Sequence, residues 1–299
     1  MRSLILAIQF LTRLPTPQLR NFDATELTRC AHWFPLVGLL IGAFVASAVW
    51  LGSRVDPALG ALLGLLIWVW ITGALHLDGL ADMSDALGAA HRDKDRFLSV
   101  LADPHLGTFG VVSVAMQLLT KFVLLMLLAR HDNYFALALI PAWARWGTLI
   151  WARLPTLKAG LGERFGWQIS TSTITLWGLL LMACSVTSPV LCVAPVLVLA
   201  WRQFLLQRIG GMTGDLLGAG VEVNESAALL LLVSYSAVII YARLGIVSST
   251  ACLSASDSAR PRRPQSRARN RRTSSLHPTP CRHSPLAVNL CPRTGVEWR

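Results

Sequence analysis

Three aspartates in the stretch His76 to Gly110, HLDGLADMSDALGAAHRDKDRFLSVLADPHLGTFG, have the residue type and spacing that chemistry needs. Asp78, Asp82 and Asp85 stand at i, i+4 and i+7, so on a helix their carboxylates fall within roughly 60° of one face. Like charges on one stripe repel each other, and such an arrangement persists where a cation sits among them. Carboxylate oxygens suit a hard divalent metal. Asp103 then opens DPHLGTFG, in which Gly107 and Gly110 let backbone come close to a bulky anionic ligand. The stretch reads as a metal and phosphate site at a membrane surface, with Asp78, Asp82, Asp85 and Asp103 as metal ligands and Gly107 and Gly110 on the substrate. His76, directly ahead of Leu-Asp-Gly, is either a general base or a hydrogen-bonded rim residue, whereas His105 reads as a rim residue.

Two cations lie inside apolar runs, Lys121 in TKFVLLMLL and Arg145 in AWARWGTLI. Burying a charge among membrane helices is costly, so both are expected to face the bundle interior and a negative partner. They serve either the chemistry or a structural ion pair with one of the aspartates. A second acidic stretch, GGMTGDLLGAGVEVNE at Gly210 to Glu225, carries Asp215 and Glu222 seven residues apart, on one face if helical. Its glycines allow tight helix packing or let backbone amides meet phosphate.

The elements that hold these residues are membrane helices. Hydrophobic residues fill 54% of 299 positions and charged residues 14%, with a mean hydropathy of +0.52, which sets aside a soluble domain. Apolar runs occur at Phe34 to Leu51, Ala58 to Leu77, Thr108 to Ala129, Tyr134 to Ala152, Ile174 to Trp201 and Ala227 to Val247. The fifth is long for one helix and is interrupted by Ser-Val-Thr-Ser-Pro at Ser185 to Pro189, so it divides in two. The expected fold is an all-α, polytopic helical bundle of about seven spans. Met1 to Leu14 is too short to span and lacks a cleavage site; it reads as an interfacial helix stopped by Pro15 and Pro17. Asp23, with Glu26 three residues on, is the expected cap of a short amphipathic helix.

With seven spans, the loops bearing Arg92, Lys94 and Arg96, then Arg153, Lys158 and Arg164, then Arg202 and Arg208 share one side, the cytoplasmic face of the inner membrane. Both acidic stretches fall on that side too. The six cysteines show no zinc or disulfide spacing. The net charge of +11 is uneven: residues 250–299 hold ten Arg against Asp257 and Glu297, which is +8 and leaves +3 for the rest. Residues 1–248 form the membrane domain, and 249–299 read as a disordered Arg/Pro/Ser-rich extension without a role. The expected partner is the bilayer, with no nucleic acid. Seven spans put this basic tail opposite the cytoplasm, which leaves a miscounted span or a tail foreign to the fold as the two readings.

HLDGLAD with Asp85 and the D-x-x-x-G-x-x-G that follows, FLTRLPTP at Phe10 to Pro17, FPLVG at Phe34 to Gly38, and GGMTGD at Gly210 to Asp215 together resemble the cobalamin synthase family, in matching order from about Leu4 to about Ile246. The resemblance implies an integral membrane adenosylcobinamide-GDP ribazoletransferase. Such an enzyme joins α-ribazole or its 5′-phosphate to adenosylcobinamide-GDP, yields adenosylcobalamin or its 5′-phosphate, releases GMP and uses Mg²⁺. On that reading Asp78, Asp82 and Asp103 hold metal with Asp85 beside them, and Lys121 and Arg145 neutralise phosphate oxygens. Asp215 binds metal or orients the ribose hydroxyl, and Glu222 joins the same site. The family is also distantly similar to CDP-alcohol phosphotransferases: Asp78, Gly79 and Ala81 fit their pattern, while Asp82 replaces its arginine. A lipid-directed enzyme of that kind and a secondary transporter are the alternatives. A transporter calls for inverted repeats and helices broken in both halves, and neither is evident. Association with a second copy stays open.

Overall fold

The computed structural model describes residues 2–17, 19, 24–90, 93–131, 133–157 and 169–243, all within one compact unit, Met1–Thr250. Every regular element among them is helical, apart from one isolated bridge between Thr156 and Met212. The short α1 (Arg2–Leu11) ends ahead of Pro15, and α2 (Ala24–Cys30) runs through a 3-10 turn into α3 (Phe34–Ser53). α4 (Pro57–Thr72) starts with its proline in the first turn, where no N–H is missed, and the Asp56 carboxylate accepts the Ala58 N–H at 2.7 Å. There follow α5 (Leu75–Ala90), α6 (Lys94–Leu101), α7 (Thr108–Leu128) and α8 (Tyr134–Trp151). Helices α9 (Thr171–Ser185), α10 (Ala194–Phe204) and α11 (Gly214–Arg243) complete the bundle.

α8 is the central helix, buried along nearly its whole length. Its neighbours engage it in two ways. On one side α3 approaches backbone to backbone, since a Cβ on Gly38 would lie 2.5 Å from the Pro141 carbonyl. On the other, three indole N–H groups of α8 donate across the interface: Trp143 to Ser185 Oγ at 3.0 Å, Trp146 to the Ile174 carbonyl at 2.9 Å, and Trp151 to the Val198 carbonyl at 2.8 Å. Buried tryptophans stay compatible with an apolar interior when that one donor is satisfied.

Among the described residues, four helical segments are long and apolar enough to cross a membrane: Thr28–Ser53, Thr108–Leu128, Pro189–Ile209 and Gly214–Val238. The pair α4 and α5, bent by 85°, makes a fifth if it is one span. The expected fold is a helical bundle of about seven spans; by length and apolarity four segments, or five with the bent pair, qualify among the described residues. The run from Ala58 to Leu77 does not continue straight, because Gly73 and Ala74 both take φ of 61° and turn the chain. Ile174 to Trp201 does divide where its sequence says, but α9 is only 15 residues long. Arg145 and three tryptophans dilute the apolarity of α8. The Asp23 cap, Arg92, Lys158, Arg164 and the extension from 249 onward lie outside the described residues.

Three connections meet at one end of the bundle. Leu157 N–H donates to the Met212 carbonyl at 3.0 Å and Met212 N–H to the Pro155 carbonyl at 2.8 Å, joining the segments after α8 and α10. Lys94, after α5, lies against Gly210 of the same loop.

Candidate active site

The acidic stripe rests on α5, whose direction is set by the Gly73–Ala74 bend. Arg13, from FLTRLP, fixes that bend: its backbone N–H donates to the Ile71 carbonyl at 2.8 Å and its guanidinium reaches the Gly73 carbonyl at 3.5 Å. Asp78 opens α5 in an exposed position and lines a cavity of about 460 Å³ with Arg13, while Asp82 is half-buried one turn on. Between them, Gly79 receives the start of α11. A Cβ there would lie 2.5 Å from the Asp215 carbonyl oxygen and 3.0 Å from its Cα, so only glycine permits the approach. Asp215, in the first turn of α11, is thereby brought beside the α5 stripe. The helix terminus there favours negative charge, including the phosphates of a ligand.

Asp85 and Asp103 have other tasks. The Asp85 carboxylate accepts the Gly107 N–H at 2.8 Å on Oδ2 and the Gly110 N–H at 2.9 Å on Oδ1, so it caps α7 from a neighbouring helix. The two glycines are small for that reason, since a Cβ on either would run into the carboxylate. Gly107 and Gly110 thus hold Asp85 where the spacing suggested a phosphate. Replacing Asp85 with Ala is expected to lower stability by about 1–2 kcal/mol, the usual cost of losing a cap, as read from thermal unfolding in detergent. An unchanged unfolding temperature would contradict the capping role.

Asp103 is exposed and tied to His105, whose backbone N–H it accepts at 3.0 Å and whose ring approaches at 2.6 Å. These hydrogen bonds, the backbone one first, hold its carboxyl below the ordinary range. The local stabilisation is present above that range and is lost as pH falls through the lowered value. Among the described residues no three His, Cys, Asp or Glu side chains converge as a metal cage. The four-aspartate ligand set expected from the sequence is therefore not assembled.

His76, Lys121, Arg145 and Glu222 form a different structure, beneath the stripe. Lys121 Nζ donates to Glu222 Oε2 at 2.7 Å and to Glu225 Oε2 at 2.6 Å, and lies 4.3 Å from the centre of the Trp68 ring. Arg145 donates to the other oxygen of Glu225, and its second terminal nitrogen donates to His76 Nδ1 at 3.5 Å. Gln117 Nε2 completes Glu222 at 2.8 Å. Relative exposures are 2% for Lys121, 0% for Arg145, 4% for Glu222, 0% for Glu225 and 5% for His76, so water solvates none of them. Two cations face two carboxylates, and the cluster is neutral with His76 uncharged. Charges so buried persist only when paired in this way. Lys121, Arg145, His76 and Glu222 are thus drawn together with Glu225 across α5, α7, α8 and α11, which is the ion-pair alternative that the sequence offered for the two cations.

Three contributors went unread in the sequence. Glu225 follows Glu222 by three residues and Gln117 precedes Lys121 by four, so helical spacing alone put each on its partner's face. Arg13 gave no such signal, because its target is a bend created by backbone conformation.

The chain matches the family described as cobalamin-5-phosphate synthase over residues 3–233. It is 55% identical to the adenosylcobinamide-GDP ribazoletransferase of Thiobacillus denitrificans over 233 residues, 77% of this chain and 94% of that protein. It is 58% identical to that of Laribacter hongkongensis over 236 residues, 78% of this chain and 97% of the relative. Identity to that of Novosphingobium aromaticivorans is 50% over 234 residues, 77% and 95% of the two chains. No solved structure matches.

Proposed function

Because the chain belongs to the cobalamin-5-phosphate synthase family, we propose that it transfers adenosylcobinamide phosphate from adenosylcobinamide-GDP to α-ribazole or its 5′-phosphate, releasing GMP. An acceptor hydroxyl oxygen bonds to the phosphorus bearing the cobinamide, the bond to GMP breaks, and the hydroxyl proton is lost. The observation that carries this reading is the seating of the α11 N-terminus, at the Asp215 backbone, on Gly79 between Asp78 and Asp82, in a chain more than half identical to two proteins named for this activity. That packing brings a helix N-terminus against the acidic stripe of α5. Asp78 and Asp82, one turn apart on α5, would supply two carboxylates to a Mg²⁺ that takes its remaining ligands from water and substrate phosphates. Bound there, Mg²⁺ would neutralise charge developing on the phosphate oxygens. Asp215 orients the acceptor hydroxyl, and the buried ion cluster fixes α5 against α11.

The site faces the cytoplasm across the inner membrane, a reading supported by the gathering of Lys94, Arg153 and Arg208 at that end. The test is to supply the purified, membrane-embedded protein with adenosylcobinamide-GDP, Mg²⁺ and each acceptor. Cobamide and GMP should form in equal amounts. Neither forming from folded protein would overturn the reading in favour of the lipid-directed or transport alternatives. The relatives match 77–78% of this chain yet 94–97% of their own length, which supports a transferase carried by residues 1–248. A variant ending at Ser248 is expected to keep full turnover; an inserted but slow truncation would contradict this.

A further inference from the structure

The segment FLTRLP, Phe10 to Pro15, packs on the bend ahead of the acidic stripe, and its Arg13 lines two adjoining cavities. The first, of about 460 Å³, runs from Arg13 past Gly73 and Leu75 to Asp78. The second, of about 480 Å³, shares Gln9, Thr12 and Arg13 with it and extends along Pro15 and Thr16. Among the described residues, Arg13 is the one cation lining them and Asp78 the one carboxylate. The backbone is fixed on both sides of Arg13. Thr12 Oγ1 donates to the Ile8 carbonyl at 2.7 Å and accepts the Leu14 N–H at 3.3 Å, while Gln9 Nε2 donates to the Pro17 carbonyl at 2.7 Å. Gly73 leaves room for the guanidinium, since a Cβ there would collide with Arg13 Nε. Among the described residues the guanidinium makes one long hydrogen bond, to the Gly73 carbonyl at 3.5 Å, so most of its five N–H donors remain for a ligand.

We propose that Arg13 is a further substrate-binding residue, whose guanidinium holds the GMP phosphate of the donor diphosphate while Asp78 and Asp82 stand at the phosphate that is transferred. The inference rests on the transferase reading and names the group that meets the leaving phosphate. In that step the acceptor oxygen bonds to the phosphorus bearing the cobinamide, the P–O bond to GMP breaks with its electron pair left on the GMP phosphate, and the hydroxyl proton is lost. Negative charge therefore grows on the leaving side, where a planar fork of N–H donors matches phosphate oxygens. Lys121 and Arg145 are already paired with Glu222 and Glu225 inside the bundle, which leaves the charge of this cavity to Arg13. Helical spacing puts the carboxylates within its reach. Leu75, Asp78 and Asp82 stand at i, i+3 and i+7 on one face of α5, and the first two line the cavity with Arg13. Each cavity has the volume usual for a small ligand, and two that meet at a cation suit a molecule with a bulky group on either side of its diphosphate.

The test measures KM for adenosylcobinamide-GDP, KM for α-ribazole 5′-phosphate and the inhibition constant of GMP in wild type, Arg13→Gln and Arg13→Lys, each in nanodiscs with and without anionic lipid. Arg13 is exposed, and its backbone bond to the Ile71 carbonyl does not depend on the side chain, so the variants keep the bend. Loss of one charged hydrogen bond is expected to raise donor KM and the GMP constant about tenfold or more in Arg13→Gln, with acceptor KM unchanged and Arg13→Lys recovering part of the loss. Donor KM and GMP constant at wild-type values in Arg13→Gln, with or without a fall in kcat, would overturn the proposal, because the residue would then only hold the bend. So would a defect seen only in anionic bilayers, since the guanidinium would then hold a lipid headgroup. A wild type that releases no GMP overturns the transferase reading itself, a result distinct from an active enzyme whose donor KM is indifferent to Arg13.

Discussion

Lys121→Met is expected to destabilise the folded protein by about 3–5 kcal/mol, the cost of removing one partner from a buried ion pair. The magnitude follows from the cluster's neutrality. Lys121 and Arg145 balance Glu222 and Glu225, with every member buried between α5, α7, α8 and α11. Removing the ammonium leaves two carboxylates sharing one guanidinium where water cannot enter. Methionine matches the stem in length, so packing against Trp68 survives and the loss is electrostatic. The double variant Lys121→Met with Glu222→Gln restores neutrality through the remaining Arg145–Glu225 pair. It should recover most of the lost stability, and unfolding in detergent would measure the recovery as a coupling energy. A Lys121→Met protein as stable as wild type, or a double variant less stable than the single one, would contradict the ion-cluster account.

The features legible in the sequence were those that depend on spacing along one element. The acidic stripe is helical, as its i, i+4, i+7 pattern implied, and the interruption at Ser185 to Pro189 does end α9. The intramembrane positions of Lys121 and Arg145 correctly called for negative partners inside the bundle, although these proved to be glutamates of α11. What spacing cannot supply is the target of a side chain on another element. Asp85 belongs to the same stripe as Asp82, yet Asp85 meets two backbone N–H groups at the start of α7, because α7 begins there with donors that no helical carbonyl satisfies. Asp103 looked like a ligand by composition and is held by its neighbour His105. The 85° bend after Thr72 was hidden inside an unbroken apolar run, since Ala74 carries no signal of a left-handed conformation. That bend turns α5 away from the line of α4, and its Gly79 packs on the start of α11.

Asp82→Asn is expected to lower transfer by about 100-fold or more without loss of fold, the usual effect of removing a group that stabilises charge developing in a transition state. The substitution keeps the volume, removes the negative charge and exchanges one acceptor oxygen for an N–H donor. Asp82 is half-buried on the face of α5 that Gly79 opens to Asp215, whereas Asp103 is exposed and hydrogen-bonded within its own loop. The two residues therefore separate a site built on α5 and α11 from one spread along the whole acidic stretch. The decisive measurement is the rate of GMP release from adenosylcobinamide-GDP, with acceptor and saturating Mg²⁺, in wild type, Asp82→Asn and Asp103→Asn of equal folded content. Loss in Asp82→Asn with Asp103→Asn within a few fold of wild type is the predicted result; equal losses in both, or full activity in Asp82→Asn, would contradict it.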